Sequence, residues 1–281
     1  MNDRPRAILL FYFLMLALAS PSVFAQAKEP FHPDWLARDV QVAEILKKAL
    51  VPTKDNAKEL VSALQASQVD EDREIGFGGH RWYLATYGGY ASCWSNIVSF
   101  NNRLALVDVQ CPFKENWPLV KKQILQVWGG LAKVTSDGIA YRYSNPQALA
   151  DLKKSVEAGL GNKPVPGNLG AYRESVDTLN APQEKFDFGE RCYFAAESPK
   201  GRSAITTLVE AKQWDLIRAL LSSPNPEGRV YAAEALLNYS KGGGNLTKED
   251  KASIEAIRSL KIPINTCGGC IVSERLSGEL L

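Results

Sequence analysis

Apolar residues recur at helical spacing near both ends of this chain, with a strand-like stretch between them. Leu36, Val40, Ala43, Leu46 and Leu50 form one stripe and predict a helix over 34–50. Ala57, Leu60, Val61 and Leu64 repeat at i, i+3, i+4, i+7 and predict a second. Pro52 ends the first and Thr53 is placed to cap the second, so 34–67 reads as a helical hairpin. The acidic run Asp70-Glu71-Asp72 reads as a surface loop. From Gly76 the chain turns aromatic, β-branched and glycine-rich. Strands are expected at Arg81–Tyr87, Trp94–Phe100 and Leu104–Cys111. A helix around Trp117–Trp128 closes at Gly129-Gly130, and a strand pair over 131–143 turns at Ser136-Asp137-Gly138. Asn145-Pro146 then opens a helix to about Leu160.

Helical spacing returns in the last third. Ala204, Ile205, Leu208 and Val209 make one stripe; Trp214, Ile217, Leu220 and Leu221 make another. Pro224-Asn225-Pro226 separates these from a helix over Glu227–Ser240, ended by Gly242-Gly243-Gly244. Thr247 and Asp250 have capping-box spacing ahead of Ile254, Ile257 and Leu260, and Pro263 stops that helix. The fold class is therefore α+β: an N-terminal helical hairpin and a small antiparallel sheet with helices, then an all-α module. The expected divisions are 26–165 for the α+β part, 166–190 for a linker and 191–281 for the helical part with a cysteine-containing tail.

Within that last part, DLIRALLSSPNPEGRVYAAEALL (Asp215–Leu237) resembles one HEAT-type helical repeat. Arg229, Ala232, Ala233, Ala235 and Leu236 carry the resemblance; small alanines let stacked helices approach closely. The resemblance covers one repeat and implies a binding scaffold.

Residues 1–25 have a different character. Arg4 and Arg6 precede the apolar run Ala7–Ala19, and Val23-Phe24-Ala25 supplies small residues for cleavage. This is the pattern of a secretory signal peptide, too short to span a bilayer, with the mature chain starting at Gln26. Export to a periplasmic or secreted location, with no membrane span after cleavage, is expected. Lys and Arg number 33 against 31 Asp and Glu, which excludes a strongly basic nucleic-acid binder. Only two histidines are present, which rules out a three-histidine metal site.

An oxidising compartment changes the meaning of Cys93, Cys111, Cys192, Cys267 and Cys270. Cys93 and Cys111 flank the expected hairpin. A two-residue loop at Asn101-Asn102 would set Cys93 opposite Gln110; a three-residue loop ending at Arg103 sets it opposite Cys111. The second register groups apolar residues better and predicts a cross-strand disulfide. Cys267-Gly-Gly-Cys270 could be a redox dithiol, half a zinc site or part of a structural disulfide. Its place after Pro263 and its two glycines disfavour a helix N-terminal redox centre, so Cys192 is expected to pair with Cys267 or Cys270, leaving one cysteine over.

Candidate chemistry is sparse. A Ser-His-Asp or Cys-His arrangement would have to use His80, and no G-x-S-x-G elbow exists. Gly76–Gly79 lacks a phosphate-loop lysine, and the segment from Asp70 lacks calcium-loop residues at Ile75 and Arg81. No metal and no cofactor are called for. Phe77, Trp82, Tyr83, Tyr87, Tyr90, Trp94 and Phe100 form an aromatic cluster. Arg81, Tyr83 and Tyr87 share a strand face that could bind a sugar, a peptide or a protein if the flanking helices leave it open. Burial on both faces is the favoured expectation. The leading functional expectation is an exported, soluble, disulfide-stabilised interaction or scaffold protein without catalysis. Its partner would be another protein or a cell-envelope component. The alternatives are a thiol-redox protein using Cys267 and Cys270, and a hydrolase centred on His80.

Overall fold

The computed structural model describes residues 31–50, 56–112 and 118–281. The signal-peptide segment, the Pro52 stop, the Thr53 cap and Trp117 lie outside the described residues. The architecture is mixed α+β, as the patterning implied. Six antiparallel strands lie in the order β1-β2-β3-β4-β6-β5. They are β1 (Gln68–Gly76), β2 (Gly79–Tyr87), β3 (Ser92–Phe100), β4 (Arg103–Pro112), β5 (Lys133–Val134) and β6 (Gly138–Ser144).

Helices α1 (Pro33–Leu50), α2 (Ala57–Ala63) and α3 (Pro118–Trp128) serve one face of this sheet. Trp128 of α3 donates its indole N–H to Ala43 O of α1 at 3.0 Å and meets Tyr141 of β6 edge-on. Asn56 caps α2 by accepting from Glu59 N at 3.2 Å.

On the other face, α4 (Pro146–Leu160) contributes Ala148, Leu152, Val156 and Leu160 to the main apolar cluster, together with Ile75, Val98 and Leu106. Asn145 caps α4 with Pro146 in its first turn, as the sequence pattern requires. The cluster continues without a break into α5 (Arg173–Asn180), α6 (Lys200–Glu210), α7 (Trp214–Leu220), α8 (Pro226–Lys241) and α9 (Lys248–Ser259). Asp34–Leu281 forms one compact unit. The stretch 166–190, expected as a linker, contains α5, whose Val176 and Leu179 join that cluster. The first ten residues of α8, Pro226 to Ala235 apart from Glu234, are buried, so this half of the helix is packed on every side. Gly228 permits this, because a Cβ there would overlap the Leu179 carbonyl.

Three expectations require correction. Asp70-Glu71-Asp72 lies in β1 rather than a loop, with alternate residues buried. The hairpin between β3 and β4 has a two-residue turn, Asn101-Asn102, both at positive φ as a tight turn demands. Ser99 pairs with Leu104 and Val98 with Leu106, so Ala105 is an extra residue that shifts the register by one. That bulge, rather than a longer loop, brings Cys93 to Cys111, and the two form a disulfide. Finally, the tail past Pro263 folds as a hairpin, β7 (Pro263–Gly268) and β8 (Ile271–Leu276), followed by the short α10 (Ser277–Leu280).

Candidate functional site

The register of the large sheet arranges the residues of its α4-facing side in rows. Arg73, Arg81, Val98, Leu106 and Ser144 form one row. Its first four members are buried beneath the C-terminal half of the chain. Arg81 is therefore corrected from a ligand-binding candidate to a buried anchor. It is 0 % exposed, donates to Glu71 and Glu227, and also reaches Glu184 O at 2.7 Å. Burial opposes its charge, but Glu227 and Glu71 outweigh that and hold the guanidinium more firmly protonated.

The next row is Glu71, Tyr83, Asn96, Asp108 and Arg142. The one beyond it runs Gln68, Ala85, Trp94, Gln110, Ala140 and Lys133. Here the cover thins, although Glu71, Ala85 and Asp108 are still buried. Tyr83 and Trp94 are half-buried, while Tyr87, Gln110, Lys133 and Arg142 are exposed. Tyr87 keeps 46 % of its surface, so the expectation of burial on both faces holds for only part of the sheet. Arg142 Nε donates to Asp108 Oδ2 at 3.1 Å, and its Nη2 donates to the same oxygen. Tyr87 Oη donates to Gln68 Oε1 at 3.0 Å, and the Lys185 ammonium stands 5.3 Å from the Tyr83 ring centre. Burial, with help from Asp70 and Tyr87, pushes the Tyr83 hydroxyl pKa up, so it stays a neutral donor. Asn96 Oδ1 is buried with no hydrogen-bond partner among the described residues. A groove of about 440 Å³ runs beside these rows, bounded by Asp108, Gln110, Lys133, Asp137 and Arg142. Aromatic faces, planar hydrogen-bonding groups and balanced charge thus share one surface.

His80 points to the opposite side. Its Nε2 lies 2.6 Å from Asp72 Oδ1 and its ring stacks on Trp82 at 4.1 Å. Ser99 faces it in register, but Ser99 Oγ is buried and hydrogen-bonds to no described group, His80 included. Both line a cleft of about 290 Å³ with Lys58 and Glu74. The arrangement supplies an oriented imidazole without an activated nucleophile.

The remaining candidates meet at the C-terminal hairpin. Cys192 bonds to Cys267, and Cys270 is free and exposed. Segment 188–193 runs parallel to β7, with Phe188 N donating to Asn265 O at 2.7 Å and Tyr193 N to Gly269 O at 2.7 Å. Asp187 accepts from Tyr193 Oη, and that bond, with burial, pushes the phenol up to about 12. Among the described residues no group of His, Cys, Asp and Glu is arranged to hold a metal, and no helix is long and apolar enough to cross a membrane. No family model, curated protein or solved structure matches the chain.

Proposed function

We propose that this is an exported, non-enzymatic binding protein whose open sheet surface holds a hydroxyl-rich glycan of the cell envelope. One observation carries the reading: Tyr83, Asn96, Asp108 and Arg142 stand in one cross-strand row beside Trp94 and Gln110. Aromatic rings stack on the apolar faces of sugar rings, while amide, carboxylate and guanidinium groups exchange paired hydrogen bonds with hydroxyls. Asp108 and Asp137 offset Lys133 and Arg142 around the groove, which suits an uncharged ligand better than an anion or a cation. The signal-like pattern of residues 1–25 and the two disulfides support an oxidising, extracytoplasmic setting. The HEAT-like helical part then acts as the rigid scaffold that holds the sheet edge in place.

Titration with soluble oligosaccharides of neutral hexoses and N-acetylhexosamines, followed by tryptophan fluorescence, tests this. Saturable quenching that disappears in Trp94→Ala supports the reading. Absence of binding to every oligosaccharide, or binding indifferent to both Trp94→Ala and Arg142→Ala, overturns it.

A further inference from the structure

Three of the five cysteines converge on the C-terminal hairpin. Gly268 pairs with Ile271, so Gly269 and Cys270 make its two-residue turn, with Gly269 at φ +58°. A Cβ on Gly268 or on Gly269 would meet nothing within 4 Å, so the turn stands in open space. Cys192 is 0 % exposed and lies on the far side of β7, where its backbone bridges Gly269 and Glu197. Cys267 is therefore bonded to a buried cysteine, Cys192, and is followed three residues along the chain by a free, exposed one, Cys270, in the adjoining turn.

We propose that Cys192, Cys267 and Cys270 form a thiol–disulfide exchange site that releases the loop from Cys192 to Glu197. The Cys270 thiolate attacks Sγ of Cys267. The Cys267–Cys270 bond forms as the Cys192–Cys267 bond breaks, and the electron pair leaves on the Cys192 sulfur, which takes a proton from solvent. One thiol and one disulfide stand on each side, so no oxidant is consumed. The two disulfides differ greatly in reach. Cys192–Cys267 closes a sequence separation of 75 residues, whereas Cys267–Cys270 constrains only the turn. The long staple is the better stabiliser and dominates at rest. Exchange removes it and sets free a loop whose Phe194 is 97 % exposed, while Ile271 and Val272 of the same hairpin are exposed as well. A tethered apolar surface thereby becomes a mobile one.

The test uses the full chain after removal of its first 25 residues. Samples are held at about pH 6 or about pH 8.5, quenched in acid, unfolded, alkylated and peptide-mapped, because thiolate rather than thiol is the attacking species. In protein kept acidic beforehand and sampled over time, alkylation of Cys192 and a Cys267–Cys270-linked peptide are expected to appear together, at least about tenfold faster at the higher pH. Cys270→Ser should lose both while keeping the Cys192–Cys267 bond, which also shows that the variant folds. Alkylation confined to Cys270 at both pH values, with only the Cys192–Cys267 peptide present, overturns the proposal. Glycan binding at the sheet is a separate readout, so neither result depends on the other.

Discussion

Arg81 of β2 and Glu227 of α8 meet with Nη2 2.9 Å from Oε1, and neither side chain has any exposed surface. Their contact joins the sheet to the helical half of the chain across 146 residues of sequence. Glu71 and Arg73 complete the cluster, and Arg73 Nη1 also donates to Pro263 O at 2.7 Å. Arg229 adds bonds to Ile75 O at 2.6 Å and Ser223 O at 3.0 Å. Removing one buried partner leaves the other desolvated and unpaired, which costs about 3–5 kcal/mol. Glu227→Gln is therefore expected to lower the urea midpoint strongly, whereas Glu255→Gln on the surface should leave it nearly unchanged. Equal midpoints for the two variants would contradict the anchoring role.

Acid should act through Asp250. Its carboxylate holds Lys163 at 2.6 Å and Arg218 at 3.0 Å and accepts from Thr247 N at 3.0 Å. Burial alone would raise its pKa; the Lys163, Thr247 and Arg218 bonds outweigh that and lower it. A carboxyl depressed in the folded state stabilises above its unfolded value of about 4, and this contribution fades as pH falls through the lower folded value. Thermal melts should stay level from about pH 7 to about pH 5 and then decline, with a shallower decline in Asp250→Asn. An identical acid limb in the variant would remove Asp250 from the account.

The Cys93–Cys111 staple spans 18 residues and is expected to contribute about 3 kcal/mol by loop closure. Cys93→Ala/Cys111→Ala should show that loss in chemical denaturation without a change in the far-ultraviolet circular dichroism spectrum. Both sulfurs sit in a buried strand pair, with Cys93 1 % and Cys111 0 % exposed, so the sheet itself survives. Loss of strand signal in the double variant would show that the bond dictates the register instead of locking it.

Helices were legible wherever an apolar stripe and a cap coincided, as at Asn145-Pro146 and at Thr247 with Asp250. β1 was not, because two of its three inward positions are Glu71 and Arg73, which mimic a solvent loop until Arg81 and Glu227 are seen to neutralise them. The Cys93–Cys111 pair was readable from apolar grouping, but the bulge at Ala105 that achieves it leaves no local mark. Tyr83 and Tyr87 could be placed on one face from period-two alternation alone. Asp108, Gln110 and Arg142 could not be set beside them, since the register from β3 to β4 and on to β6 depends on that bulge. Arg81 shares the face of Tyr87 yet lies under α8, a distinction made by helices distant in sequence.

That distinction gives the sharpest test of the sheet surface. Tyr87 is 46 % exposed at the open end of β2, and its hydroxyl bonds to Gln68, itself on the edge strand. Truncating it removes contact area from the surface without opening a core cavity, so Tyr87→Ala should change stability by no more than about 1 kcal/mol. Arg142 is similarly outward, with 68 % of its side chain exposed, but its partner Asp108 is only 7 % exposed, so Arg142→Lys, which keeps that buried carboxylate paired, is the variant that leaves the fold in place. A residue serving only the fold would show its effect in the denaturation midpoint. Residues serving a ligand leave the midpoint in place and weaken binding, by about tenfold for a lost aromatic stacking contact. Tyr87→Ala and Arg142→Lys should each therefore reduce oligosaccharide affinity at nearly unchanged stability, and the double variant should abolish it. A double variant that binds as tightly as the parent chain would move the binding surface elsewhere on the molecule.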